Sequence, residues 1–386
     1  MKRQYSNVAL ICGGAAVILG MFMLMMLGGQ KDNVSQLTIG TYGEHIYTYS
    51  FNHKDKAFTL KDKTAAHNAS YALAVKGNDA REYIYTVSED GDGSGVYSFE
   101  RGKEDMVLTG YWQQTGADPC FVLLYDGGRY MMTADYSGGS ISAFPINDNA
   151  VGELCASLKF TGEGPVKDRQ ESSHIHQLKE VSCKSGKWIL ASDLGADVIR
   201  LVSTQNNDNK MTLNHIKDFP CPAGSGPRHM EFNKDHTKLY CIAELSGEVL
   251  VYDMDIEGGT PELSLKQRIQ ADEVNAGGSA DIHIHPSGKW LYTSHRLDND
   301  GICIFKILPD GSLEKTGYTR TGRHPRNFMI TNDGSYLLVA CRDDNIIQVY
   351  EILSNGELAH TGSTLTIEGD RPSSIVELIN PAPLLQ

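Results

Sequence analysis

Residues 228–254 read RHMEFNKDHTKLYCIAELSGEVLVYDM. Apolar and β-branched residues fall in three short runs, RHMEF, KLYCIAEL and EVLVYDM, separated by the polar stretch NKDHT and by a Ser-Gly turn. Runs of this length bounded by Asn, Asp and Gly are strand signals, so the segment predicts a meander of antiparallel strands. The third run returns as IYTYSF from Ile46, GVYSFE from Gly95, SISAFPI from Ser140, VIRLVS from Val198, GICIFKI from Gly301 and IIQVYEI from Ile346. With EVLVYDM that makes seven copies, spaced by roughly 50 residues. Strand-only repeats of this period predict a propeller, with one sheet per copy.

The second run recurs as YIYTVSE from Tyr83, RYMMTADY from Arg129, KWILASDL from Lys187, KWLYTSHR from Lys289 and SYLLVACR from Ser335, and also as LTIGTYG from Leu37. No first run precedes Leu37, and SSIVELI from Ser373 supplies it from the other end of the chain. The expected fold is therefore all-β: a seven-bladed β-propeller over residues 37–386, closed by mixing N- and C-terminal strands. Closure of this kind removes the free edges of the ring.

Composition agrees with this reading. The 39 glycines against 13 prolines suit many tight turns, and a 40% hydrophobic content can fill a core of stacked sheets. A formal net charge of −13 argues against a nucleic-acid or anionic-membrane surface for the body of the protein. The sequence has 8 cysteines and no CxxC pair. Cys120, Cys241, Cys303 and Cys341 sit in or beside apolar runs, where a thiol packs as a small hydrophobe.

Residues 1–36 read as a separate segment. Lys2 and Arg3 precede a chargeless run from Val8 to Gly29 that is long enough to cross a bilayer as one hydrophobic helix. Leu27 and Met26 stand where a cleavage site would need small residues, which favours an uncleaved anchor followed by a linker. Positive charge ahead of the span places the propeller on the outer side, so the expected location is exported, with membrane attachment through this segment only.

In a meander blade the first strand starts at one face and the second returns to it, so both ends meet at one mouth of the ring. His174 and His176, Arg228 and His229, Asp281 and His283, and Arg326 mark first-strand starts. Glu89, Asp135, Asp193, Glu244, and His295 with Arg296 mark second-strand ends. Asp135 and Asp193 also suit turn caps. Of His174 and His176, only one is expected to face the channel. Arg228, Glu244, Arg296 and Arg326 near a ring axis require partners or a ligand. Metal ligation by His174, His176, His283 and His295 is not expected, because their spacings match no zinc pattern and neighbouring arginines would repel the ion. No cofactor is expected.

GPRHMEF from Gly226, AEL from Ala243, ADIHIHPSGKWLYTSHR from Ala280, HPRNFMI from His324, DYSGGSISAFPI from Asp135 and DLGADVIRLV from Asp193 together carry a resemblance. The chain resembles the bacterial lactonase family of seven-bladed propellers. That family includes the cycloisomerase type of 6-phosphogluconolactonase and the fungal carboxymuconate lactonizing enzymes. SSHIHQ matches the family's SHxHS-type motif, with His176 at its second histidine and Gln177 where serine is usual. The resemblance implies that His176, Arg228, Glu244 and Arg296 form the catalytic group.

Lactone hydrolysis needs a base for the attacking water and cationic donors for the oxyanion. His176 or Glu244 fits the base, and Arg228 and Arg296 fit the oxyanion or an anionic substituent. His174, His229, Asp281, His283, Arg326 and Asp193 are the expected substrate-binding neighbours. Three classes stay open: a hydrolase of an anionic or sugar-derived lactone, a muconate-type lactonizing isomerase, and a non-catalytic exported propeller that binds a glycan or protein.

Overall fold

A computed structural model of the chain describes residues 34–102, 105–113, 116–207 and 210–379. Among these, seven antiparallel sheets form, and six of them run outward in chain order from a first strand at the axis. The six axial strands are Ala72–Lys76, Pro119–Tyr125, Ile175–Cys183, Pro227–Phe232, Ser279–Ile284 and Pro325–Ile330. The seventh sheet has Pro372–Glu377 at the axis, followed by Val34–Thr41, His45–Asn52 and Ala57–Ala65. Axial strands touch their neighbours in ring order, and Pro372–Glu377 meets both Pro325–Ile330 and Ala72–Lys76. The ring is a seven-bladed β-propeller, closed as the repeat predicts. Its first strand begins at Val34, ahead of the expected Leu37.

Residue patterning follows position in the blade. Second strands lie between two neighbouring blades and are apolar on both faces, so Tyr130–Asp135 and Tyr336–Cys341 are buried throughout. Outer strands Ala57–Ala65, Glu262–Gln270 and Leu358–Thr366 alternate between exposed and half-buried residues, the period of a sheet with one wet face. Apolar contacts fill the gaps between blades: Tyr240, Ile242 and Val249 of one sheet pack on Ile282, Leu291 and Phe305 of the next. The cysteines from Cys120 to Cys341 are free thiols, and Cys120, Cys241, Cys303 and Cys341 are buried as expected. The expected hydrophobic helix of residues 8–29 lies outside the described residues, among which no helix is long and apolar enough to cross a membrane.

The closing pair is in tight register, with Ile39 opposite Ile375 and Gly40 opposite Ser374. A Cβ on Gly40 would stand 2.4 Å from Ser374 Oγ and 2.5 Å from the Ala69 carbonyl oxygen. Gly40→Val is therefore expected to lower the free energy of unfolding by about 1–3 kcal/mol, as overpacking does in a dense interior, in a urea titration followed by circular dichroism.

Candidate active site

The axial strands do not pair regularly at the mouth. Pro119 faces Asp135 and Phe121 faces Ala134, which leaves Cys120 without a partner in the ladder. The same shift leaves out His176, Arg228, Arg326 and Ser373 in four other blades. In the blade of Ser279–Ile284, Ala280 and Asp281 fall in the gap between the pairs Ser279–His295 and Ile282–Thr293. A bulge re-aims the extra side chain, and here it does so at the same place in successive repeats. A second ring of side chains comes from the residue that follows the second strand in five of the seven blades: Tyr42, Glu89, Tyr136, Glu244 and Arg296.

These two rings enclose a cavity of about 380 Å³. Cys120, His176 and Arg326 reach it from the bulges, and the five residues of the second ring complete most of the wall. Arg169, Gly277, Gly278 and Leu297 are added from connecting loops. The lining formally carries three arginines against two glutamates, with Arg228 beneath it.

Glu244 is the hub of the charged groups. Its Oε1 accepts a hydrogen bond from Arg169 Nη2 at 2.7 Å and lies 3.2 Å from Arg296 Nη2. Its Oε2 lies 2.8 Å from Arg228 Nε, whose N–H points away, so this contact is an ion pair without a hydrogen bond. Burial alone would push the carboxyl's pKa up, but Arg296, Arg228 and Arg169 together outweigh it and hold the group at about 2. Arg228 also donates to the Ala280 carbonyl, and Arg296 donates to that of Gly278.

His176 and Arg326 are held differently. Burial, followed by the charges of Arg228, His229 and Arg326, drives the His176 imidazole well below its ordinary pKa, so the ring is neutral near pH 7. Its Nδ1 lies 3.8 Å from Cys120 Sγ, and its ring stands edge-on to Tyr136. Burial and then Glu89 keep the Cys120 thiol far above its usual pKa, which rules it out as a resting thiolate. Arg326 stacks its guanidinium 5.1 Å from the Tyr42 ring centre and makes no hydrogen bond or ion pair with any described side chain. Burial opposes its charge, but Tyr42, Glu89 and Glu244 overcome that and keep it protonated.

Several expected site residues lie off the cavity. His174 stacks on Tyr136, with ring centres 4.4 Å apart, and its Nε2 faces Glu171. A regular strand would set His174 and His176 on one side; the bulge at His176 separates them, and only His176 lines the cavity. Asp193 acts as a cap, accepting from Ser173 Oγ and from the backbone N–H of His174 and Ala196 while pairing with Arg200. His229 and Asp281 are buried and, with the half-buried His283, form a chain along the axis. His229 Nδ1 lies 2.7 Å from Asp281 Oδ1, His283 Nε2 lies 3.0 Å from Asp281 Oδ2, and His283 Nδ1 faces Glu231, which pairs with Lys179. Burial would strip the proton from His283, but Asp281 and Glu231 prevail and raise it to about 10. Burial and Arg228 lower His229 to about 4 against the pull of Asp281.

Other cavity residues were missed by sequence reasoning. Tyr42 and Tyr136 occupy the same repeat position as Glu244 and Arg296, one residue past the second strand, so aligning that column would have found them. Arg169 arrives on the loop between Lys159 and Ile175, which has no counterpart in the repeat and carries no such signal.

A family model for the seven-bladed β-propeller lactonases matches residues 36–376. The chain belongs to this lactonase family. A Formosa agariphila 6-phosphogluconolactonase is 29% identical over 338 residues, which cover 85% of this chain and 94% of the relative. A Bacteroides fragilis structure proposed to be a 6-phosphogluconolactonase is 37% identical, with a TM-score of 0.82 over 90% of this chain and 99% of its own. The periplasmic gluconolactonase of Pseudomonas aeruginosa is 25% identical, with a TM-score of 0.79 over 90% of this chain and 100% of its own.

The placement of Asp281 gives a test of the axial chain. Asp281→Asn removes the nearer of the two carboxylates that face His283 and is expected to cost about 1–3 kcal/mol of stability in urea denaturation.

Proposed function

We propose that this protein hydrolyses an anionic or sugar-derived lactone in the cavity at the propeller mouth, with His176 as general base. One observation carries the reading: a neutral imidazole and an uncommitted guanidinium, that of Arg326, share one cavity in a member of the lactonase family. His176 takes a proton from water as its oxygen bonds to the lactone carbonyl carbon. The oxyanion that forms is met by Arg326 and Arg296. When the intermediate collapses, the ring C–O bond breaks and the leaving alkoxide recovers the proton from the imidazolium. The product is a hydroxy acid that ionises to its carboxylate.

Glu244 has a different part in this scheme. Held ionised by its arginines, it is a weak base, and it serves instead to gather Arg169, Arg228 and Arg296 without mutual repulsion. The excess of arginine in the lining supports a substrate or product that carries negative charge. The chargeless run of residues 8–29 and the periplasmic gluconolactonase among the relatives support an exported enzyme that meets a free aldonolactone or uronolactone.

A pH-stat panel of sugar, phosphosugar and uronate lactones tests the activity, and full-length protein that consumes none of them would overturn it. His176→Ala is expected to lower kcat by about 10²–10⁴-fold, the usual contribution of a general base. Arg326→Ala should raise KM as well as lower kcat. Because His176 is depressed, its neutral form persists below the ordinary histidine pKa of about 6.5. The enzymatic rate, corrected for spontaneous hydrolysis, is therefore expected to stay level as pH falls through that value and to decline only in more acid solution. An inflection near 6.5 would remove His176 as the base.

A further inference from the structure

One wall of the cavity is unlike the rest. Leu297 contributes the single aliphatic side chain among its described lining residues, and 53% of this leucine is exposed. Its backbone φ is +78°, a region that an L-residue with a bulky side chain adopts only under constraint. Gly278 makes room for it: a Cβ there would stand 2.8 Å from Leu297 Cγ. The leucine is thus held in an unfavourable conformation, beside the Arg296 guanidinium that grips the Gly278 carbonyl, with its hydrocarbon facing solvent.

Further apolar side chains stand on or against the loops that carry Gly226 and Gly277. Leu245 packs toward Gly226, and its carbonyl approaches Gly277. Val166, 39% exposed, lies against Gly224, and Val274, 52% exposed, sits on the loop that ends at Gly277 and Gly278. Exposed hydrocarbon beside a polar cavity gains free energy only when a ligand covers it.

We propose that Leu297, with Gly277 and Gly278, forms an apolar subsite that selects lactones bearing a hydrocarbon substituent, an inference that rests on the lactonase reading. The lactone ring and its charge lie toward His176 and Arg326. The substituent lies over Leu297.

The test measures kcat/KM of the full-length protein on D-glucono-δ-lactone and on a series of δ-lactones with C5 substituents from hydrogen to pentyl. In the wild type, kcat/KM is expected to rise along the alkyl series by roughly fourfold per methylene covered, the equivalent of about 0.8 kcal/mol. Leu297→Asn should flatten that slope. Asparagine tolerates positive φ, so the variant's Tm should equal or exceed the wild type's, which separates lost selectivity from lost folding. A wild type that hydrolyses D-glucono-δ-lactone but shows no slope would overturn the subsite alone. An unchanged slope in Leu297→Asn would overturn the role of Leu297. Failure to hydrolyse any of these lactones by protein that consumes a phosphosugar or uronate lactone in the pH-stat panel would overturn the subsite and leave the lactonase reading standing, whereas failure on the panel as well would overturn both.

Discussion

A four-stranded sheet with two apolar faces cannot stand alone in water, and each blade here depends on a neighbour at either side. The pairing of Pro372–Glu377 with Val34–Thr41 is therefore the constraint on which the rest of the molecule rests. Without it two blades would each expose a face that every other blade buries. With it, seven sheets share their apolar faces in a ring, and the axial strands come close enough to place polar side chains from all sides into one cavity.

The cavity is also a solution to an electrostatic problem. Four arginines near an axis repel one another, and burial removes the water that would screen them. Glu244 neutralises part of that charge through contacts to three of them, and the ring of Tyr42 receives the fourth, Arg326. Asp281 plays the corresponding part further along the axis, where it holds one neutral and one charged histidine. The division explains why histidines on different blades differ. His176 meets arginines and is kept neutral, whereas His283 meets carboxylates and is kept charged.

Much of this was legible in the residues. The strand-turn-strand repeat is local, and its copies can be aligned because each blade solves the same packing problem. That alignment reached the mouth and named His176, Glu244, Arg296 and Arg326, all of which line the cavity. It also named Arg228, which lies just beneath, and His174, Asp193, His229, Asp281 and His283, which serve the framework. The difference in placement has a physical source. Residue type and proximity to a strand end are shared by cavity and framework groups, and a carboxylate that caps a turn looks like one that binds a ligand.

The sequence by itself determined the number of blades, the closing strand and the face on which the charged cavity opens, because all three follow from the period of the pattern and the order of the strands. Only the tertiary structure decided which side chains enter the cavity and in which protonation state. A one-residue bulge reverses what strict alternation would expose, and Arg169 comes from a loop outside the repeat. Each group's pKa is set by burial and by charges on other blades, whose distances exist only once the ring has closed.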